Sequence, residues 1–251
     1  MSIRAKSYSQ SIRAKSYSHQ PLAAGGVMSA PGKNPLMLKI FSLLASFSIL
    51  AIDPVLAQTP VDSTVMRSVF DITRDGNKIG TDIIEVEKNG DTTTVKSNTH
   101  ISVMVMFVEA YRFEHKAVET WNAGQFVSFS SHTNDNGKKH NVTAMVVGDK
   151  FDLTADGKLQ ELPQIVFPAS LWNNDFIGQT QLFDTATGKI LSINVKDMGV
   201  EPIVQHGTTI QAEHYKMTGD LSRDIWLNGN VPARIKLLGS DHSKIVSNLR
   251  R

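Results

Sequence analysis

The chain of 251 residues contains no cysteine. Disulfides, thiolate metal ligands, thiol nucleophiles and a lipid carried on a thiol are thereby excluded, and packing and hydrogen bonds alone must hold the fold. No apolar run is long enough to cross a bilayer. The longest, Ile40 to Ile52, has thirteen residues, against the roughly 20 that a hydrocarbon core requires. A glycine-rich phosphate loop, a nucleophile elbow and a zinc-protease helix are also missing, so no cofactor is implied. Aromatic residues are sparse, at 7 %, which draws attention to the three tryptophans, Trp121, Trp172 and Trp226.

What is present first is a targeting pattern at residues 38–57. Lys33 and Lys39 supply a positive flank, Ile40 to Ile52 the apolar run, and Pro54-Val-Leu-Ala57 a helix break before small residues. This is the layout of a secretory signal peptide, with the mature chain beginning at Gln58; an uncleaved anchor is the alternative. Residues 1–37 hold a duplicated nonapeptide, Ser2 to Gln10 and Ser11 to His19. Two copies cannot build a solenoid, so the segment is read as a disordered leader, or as an extended gene start with translation beginning at Met28 or Met37.

The leader and signal also carry the positive charge. Residues 1–57 contain six of the 26 Lys and Arg and one of the 24 Asp and Glu, leaving 20 basic and 23 acidic groups, a net charge of −3. No electrostatic basis for nucleic-acid binding survives. The expectation is a periplasmic or secreted product, without a membrane span after cleavage.

Residues 58–251 read as a single β-rich domain. Short alternating runs are separated by Arg74-Asp-Gly-Asn77, Asn89-Gly-Asp91, Asp135-Asn-Gly137, Asp156-Gly157 and Asn228-Gly-Asn230. Asp-Gly and Asn-Gly suit the positive φ angles of tight hairpins, so the pattern is an antiparallel meander. Thr92 to Met106 and Phe107 to Trp121 are adjoining strands. A sheet of this length must curl, which predicts a curved half-barrel or up-and-down barrel, with a two-layer β-sandwich as the alternative. Ser170 followed by apolar residues at 171, 172, 176 and 177 predicts one short capped helix over 168–178.

The run Tyr111-Arg-Phe-Glu-His-Lys-Ala-Val-Glu-Thr-Trp121, with Gly124, Ser130 to Gly137, Pro168-Ala-Ser-Leu-Trp172 and Gly219-Asp220-Leu221, resembles a family of secreted bacterial proteins known only as domain of unknown function six-one-three-four. The likeness covers about 66–250. It implies an exported β-rich protein and brings no catalytic residues with it.

Two sets of candidate site residues follow. Ile101 to Val108 is apolar on both faces from Val103 onward, so it is either a central strand or the lining of a cavity. Its adaptable Met104 and Met106, with Tyr111, Phe113, Trp121 and Trp172, are candidates to hold an apolar ligand. Arg112, His115, Glu119 and His132 form the densest polar cluster. If a hairpin brought His132 opposite His115 or Arg112, acid–base or metal chemistry would be possible; otherwise they are cross-strand pairs on a solvated face. No metal site is assigned. The leading expectation is a non-catalytic binder of an apolar or amphipathic envelope ligand, with a lipid or envelope component as partner. A hydrolase or metal-dependent enzyme built on the His/Arg cluster and a structural or assembly role are the alternatives.

Overall fold

The computed structural model describes residues 63–250. The leader at 1–37 and the signal segment at 38–57 lie outside these residues. Fifteen strands follow one another: β1 (Ser63–Arg74), β2 (Asn77–Asn89), β3 (Thr92–Val105), β4 (Val108–Asn122), β5 (Gln125–Asp135), β6 (Lys138–Val147), β7 (Lys150–Ala155) and β8 (Lys158–Leu162), then β9 (Phe167–Pro168), β10 (Gln181–Phe183), β11 (Ile190–Gln205), β12 (Thr208–Gly219), β13 (Arg223–Asn228), β14 (Val231–Leu238) and β15 (Lys244–Leu249). They form one sheet in the order β8 to β1, then β15 down to β9. All pairs are antiparallel except β9 with β10. The expected half-barrel is present, and it stays open in its hydrogen bonding.

Turn chemistry dictates the meander. Asp75-Gly76, Ala123-Gly124, Asn136-Gly137, Asp156-Gly157 and His206-Gly207 each have positive φ at both residues of a two-residue loop, the type I′ geometry whose twist matches the strands. Gly90, Gly148 and Gly229 take positive φ at the first loop position, as type II′ requires.

The sheet curls until its two ends meet through side chains. Phe151 on β7 and Phe183 on β10 are fully buried, with ring centroids 6.1 Å apart, and Phe129 packs on Phe183 at 5.1 Å. A register shift between Thr120 and Trp121 lets Phe126 and Phe129, three residues apart, both point inward. Ser131 Oγ donates to the Thr185 carbonyl at 2.6 Å, pinning the β10–β11 connection inside the curl. Hydrophobic packing therefore does at the seam what ladder bonds do elsewhere.

The helix expected over 168–178 does not form. Pro168 belongs to β9, and Leu171 and Gly178 take left-handed φ values of 52° and 81° that a helix cannot contain. Single turns replace it: Ile177 N–H donates to the Asn174 carbonyl at 3.0 Å, and Asp175 N–H to Asn173 Oδ1 at 3.2 Å. The apolar spacing does mark burial, since Leu171 and Phe176 are in the core, but a succession of turns achieves it.

Candidate functional site

Three places concentrate polar chemistry or exposed apolar surface. The first is the end of the β3–β4 hairpin. Pairing of β2 with β3 stops at Gly80 opposite Ile101, and pairing of β4 with β5 stops at Phe113 opposite Asp135. Beyond these pairs Ser102 to Arg112 runs on as a two-stranded ribbon, tied at its foot by Asn136 N–H to the Arg112 carbonyl at 2.7 Å and by Tyr111 to Asp135. Val105 pairs with Val108 across a two-residue turn, Met106-Phe107, whose φ values are 47° and 69°.

Among the six turns with two positive φ angles, this one alone lacks glycine. The left-handed region disfavours residues with a Cβ by about 1–2 kcal/mol each. Met106 is 89 % exposed and Phe107 fully so, and Met104, Val105 and Val108 are exposed around them. Burial in the protein gives no reason for these side chains. At the foot of the ribbon the surface turns polar: Ser102 Oγ donates to Glu109 at 2.6 Å, and Arg112 pairs with Glu109 at 3.9 Å and Glu114 at 2.6 Å.

These positions correct one expectation. Val103 to Val108 is neither a covered central strand nor a cavity lining, because it projects past the sheet. Met104 and Met106 face outward from its tip. Tyr111 and Phe113 lie lower on β4 and are partly buried; Phe113 stacks on His115 with ring centroids 6.1 Å apart. Burial and a hydrogen bond to Asp135 push the Tyr111 phenol well above its ordinary range.

The second place is buried. Glu119 is in the core, where its Oε2 accepts Trp121 Nε1–H at 3.2 Å and Trp172 Nε1–H at 3.1 Å, with the Ser170 hydroxyl also bonded to it. Loss of water raises its pKa from 4.5 to about 7, with Asp175 adding to the rise. Trp121 and Trp172 thus pack edge to face around a carboxyl group, 6.2 Å between centroids. The space beside them is about 10 Å³, room for a single water. They fill the core here, with no space for a ligand.

The two histidines of the expected polar cluster part company. His115 is buried on the concave side, its Nδ1 2.8 Å from Thr133 Oγ1, and burial lowers its pKa. His132 sits opposite Lys116, one residue out of step with His115, and points to the other face. Arg112 shares that outer face, paired with Glu114. The alternative of an acid–base or metal site across Arg112, His115 and His132 is therefore divided by the sheet.

On the concave side the register places Asp82, Thr99, His115, Thr133 and His140 in one row across five strands. Thr99 Oγ1 donates to Asp82 at 2.8 Å, and His140 Nδ1 lies 2.7 Å from Asp156. Arg223 reaches toward Asp82 and Asp184 with its Nε buried and unpartnered. No local pattern in the chain reports this row, since it exists only once strand register is set.

The third place is a cavity of about 350 Å³ on the outer face just below the ribbon. Two cross-strand rows form its walls: Asn98, Lys116, His132 and Asn141, then His100, Glu114, Asn134 and Lys139. Of these, His132 was a candidate from the sequence. Lys139, Asn98 and Asn141 were not, because turn lengths and strand register alone bring them together.

A family model for a domain of unknown function, DUF6134, matches residues 70–249. The chain belongs to the DUF6134 family. The DUF6134 domain is also similar in fold to a crystal structure of a β-barrel-like protein of domain of unknown function DUF1849 from Brucella abortus, with a TM-score of 0.55 and 12 % identity over 73 % of this chain and 94 % of that one. At that identity the likeness concerns the fold alone. No curated protein matches the DUF6134 chain.

Proposed function

We propose that this DUF6134 protein is an exported, non-catalytic envelope component that attaches to a lipid bilayer surface through the tip of its β3–β4 ribbon. The export pattern at residues 38–57 supports a periplasmic setting, and the amphipathic partner expected from Met104 and Met106 is retained. The contact is at a projecting tip instead of inside a groove.

The observation that carries this reading is the Met106-Phe107 turn, strained, exposed and apolar where every comparable turn has glycine. Strain of this kind is kept where it serves contact. The ribbon's end is apolar, and Glu109, on the Met104 rung, turns its carboxylate back to Ser102 and Arg112 at the foot, an axial layering that matches a bilayer entered end-on. A flat protein partner would instead call for one apolar face. From the Val105–Val108 pair to the Ser102–Arg112 collar is about 10 Å at strand spacing, close to the 5–10 Å depth of interfacial insertion.

Changing Met106→Asn together with Phe107→Gly tests this directly, because Asn-Gly is the preferred type I′ pair. Thermal stability is expected to hold or rise. Flotation with phospholipid vesicles is expected to weaken at least about a hundredfold, from the roughly 1.5–3 kcal/mol that each large apolar side chain contributes on leaving water. Vesicle binding equal to the parent protein would refute the tip as the contact.

A further inference from the structure

The outer-face cavity below the ribbon shares no residue with the tip. Its charge is unbalanced in a particular way. Glu114, its only carboxylate, is committed to Arg112 at 2.6 Å and accepts Asn134 Nδ2–H at 3.3 Å. Among the described residues Lys116 and Lys139 have no ion-pair partner, although both are exposed in the wall. His132, also in the lining, has its ring fixed by the Nδ1 bond to Asn141 Oδ1.

We infer that this cavity is an anion site for a phosphate ester carrying a small polyol, the chemistry shared by a phospholipid headgroup and a soluble sugar or glycerol phosphate. Size and donors agree with that class. About 350 Å³ falls at the small end of ligand pockets, and it exceeds what a bare phosphate would fill. Lys116 on β4 and Lys139 on β6 are two strands and two residues apart, about 12 Å between Cα atoms at sheet spacing. Two flexible ammonium groups can therefore converge on one phosphate from opposite walls, while the carboxamide of Asn98 offers a donor and an acceptor to hydroxyl groups. The flat floor, from the strand segments of Thr99, Thr133 and His140, excludes nothing along the ligand's lower side.

The location suits the proposed attachment. The row of His100 and Glu114 begins about 7 Å below the Ser102–Arg112 collar on the same face. With the tip inserted, the site would lie at headgroup depth. The inference stands apart from that reading, however, because a soluble phosphate ester would reach the same cavity with no membrane present.

Lys116→Gln with Lys139→Gln is the variant to use, since both side chains are exposed and neither supports the core. Two probes separate the sources. In the first, glycerol 1-phosphate is titrated against labelled protein and backbone amide shifts are followed by NMR. Shifts confined to 98–100, 114–116, 132–134 and 139–141 are expected, with affinity at least about tenfold weaker in the double variant. In the second, flotation is compared on vesicles of phosphatidylcholine alone and with added phosphatidylglycerol. Binding to a headgroup gives the parent protein an advantage on anionic vesicles that the double variant loses, about fivefold per lysine and less at high salt.

Glycerol phosphate binding without an anionic-vesicle advantage identifies a soluble ligand. Both responses together identify a headgroup that the free ester imitates. Parent and double variant behaving alike with both probes overturns the site. Failure of all vesicle binding with the glycerol phosphate response intact overturns the attachment and leaves the site standing.

Discussion

Replacing Glu119 with Gln is expected to make the protein more stable above pH 7, by roughly 3 kcal/mol, and to flatten its stability between pH 4.5 and 7. Burial raises the folded-state pKa from 4.5 to about 7, so the folded protein holds this proton more tightly than the unfolded chain. That preference stabilises the fold fully below 4.5 and is lost as the pH rises through about 7. The carboxamide introduced by Glu119→Gln has no such proton to lose. Its oxygen can accept both indole N–H groups while its nitrogen donates to Ser170. Glu119→Ala acts differently. Below pH 4.5 it leaves two buried indole donors without an acceptor and opens a cavity, at a cost of about 2–5 kcal/mol, and above pH 7 that cost falls by roughly 3 kcal/mol because the buried charge is removed as well. Thermal melts of the three proteins from pH 4 to 9 separate these effects. Asp71, held near 2 by Arg250 and Lys78, titrates in a lower window and does not blur the comparison.

Phe183→Ala is expected to lower stability by about 3–5 kcal/mol, or roughly 10 °C in melting temperature for a domain of this size. Phe183 is fully buried against Phe129 and Phe151, where the two ends of the open sheet meet. Its loss should do more than leave a cavity. With no hydrogen-bonded ladder across the seam, the strands β7 and β8 should exchange amide protons faster than β3 and β4 in the variant. A uniform increase across all strands would contradict a seam held by side chains.

Much of the architecture is legible in the sequence, because hairpin turns write their geometry into it. Asp75-Gly76, Asn136-Gly137 and Asp156-Gly157 announce strand reversals by requiring positive φ. The same rule concealed the β3–β4 turn. Thr92 to Met106 and Phe107 to Trp121 were recognisable as abutting strands with no turn chemistry between them, and that missing glycine was itself the signal of strain at the ribbon's turn. Trp121 and Trp172 were singled out together as apolar candidates, and Glu119 apart from them in the polar cluster. Their convergence depends on the 163–180 segment folding back as turns, which apolar spacing alone reads as a helix. The row from Asp82 to His140 and the lysine-walled cavity depend on cross-strand register, a long-range property with no local signature.

The lipid-inserting tip is the central claim, and fluorescence tests it most directly. The native tryptophans are buried or half-buried in the domain, so Phe107→Trp places one indole alone at the end of the ribbon. Adding phospholipid vesicles should shift its emission to the blue, and lipids brominated near the top of the acyl chain should quench it. Emission that stays at the water-exposed wavelength and unquenched at saturating vesicle concentrations would contradict attachment through Met106 and Phe107.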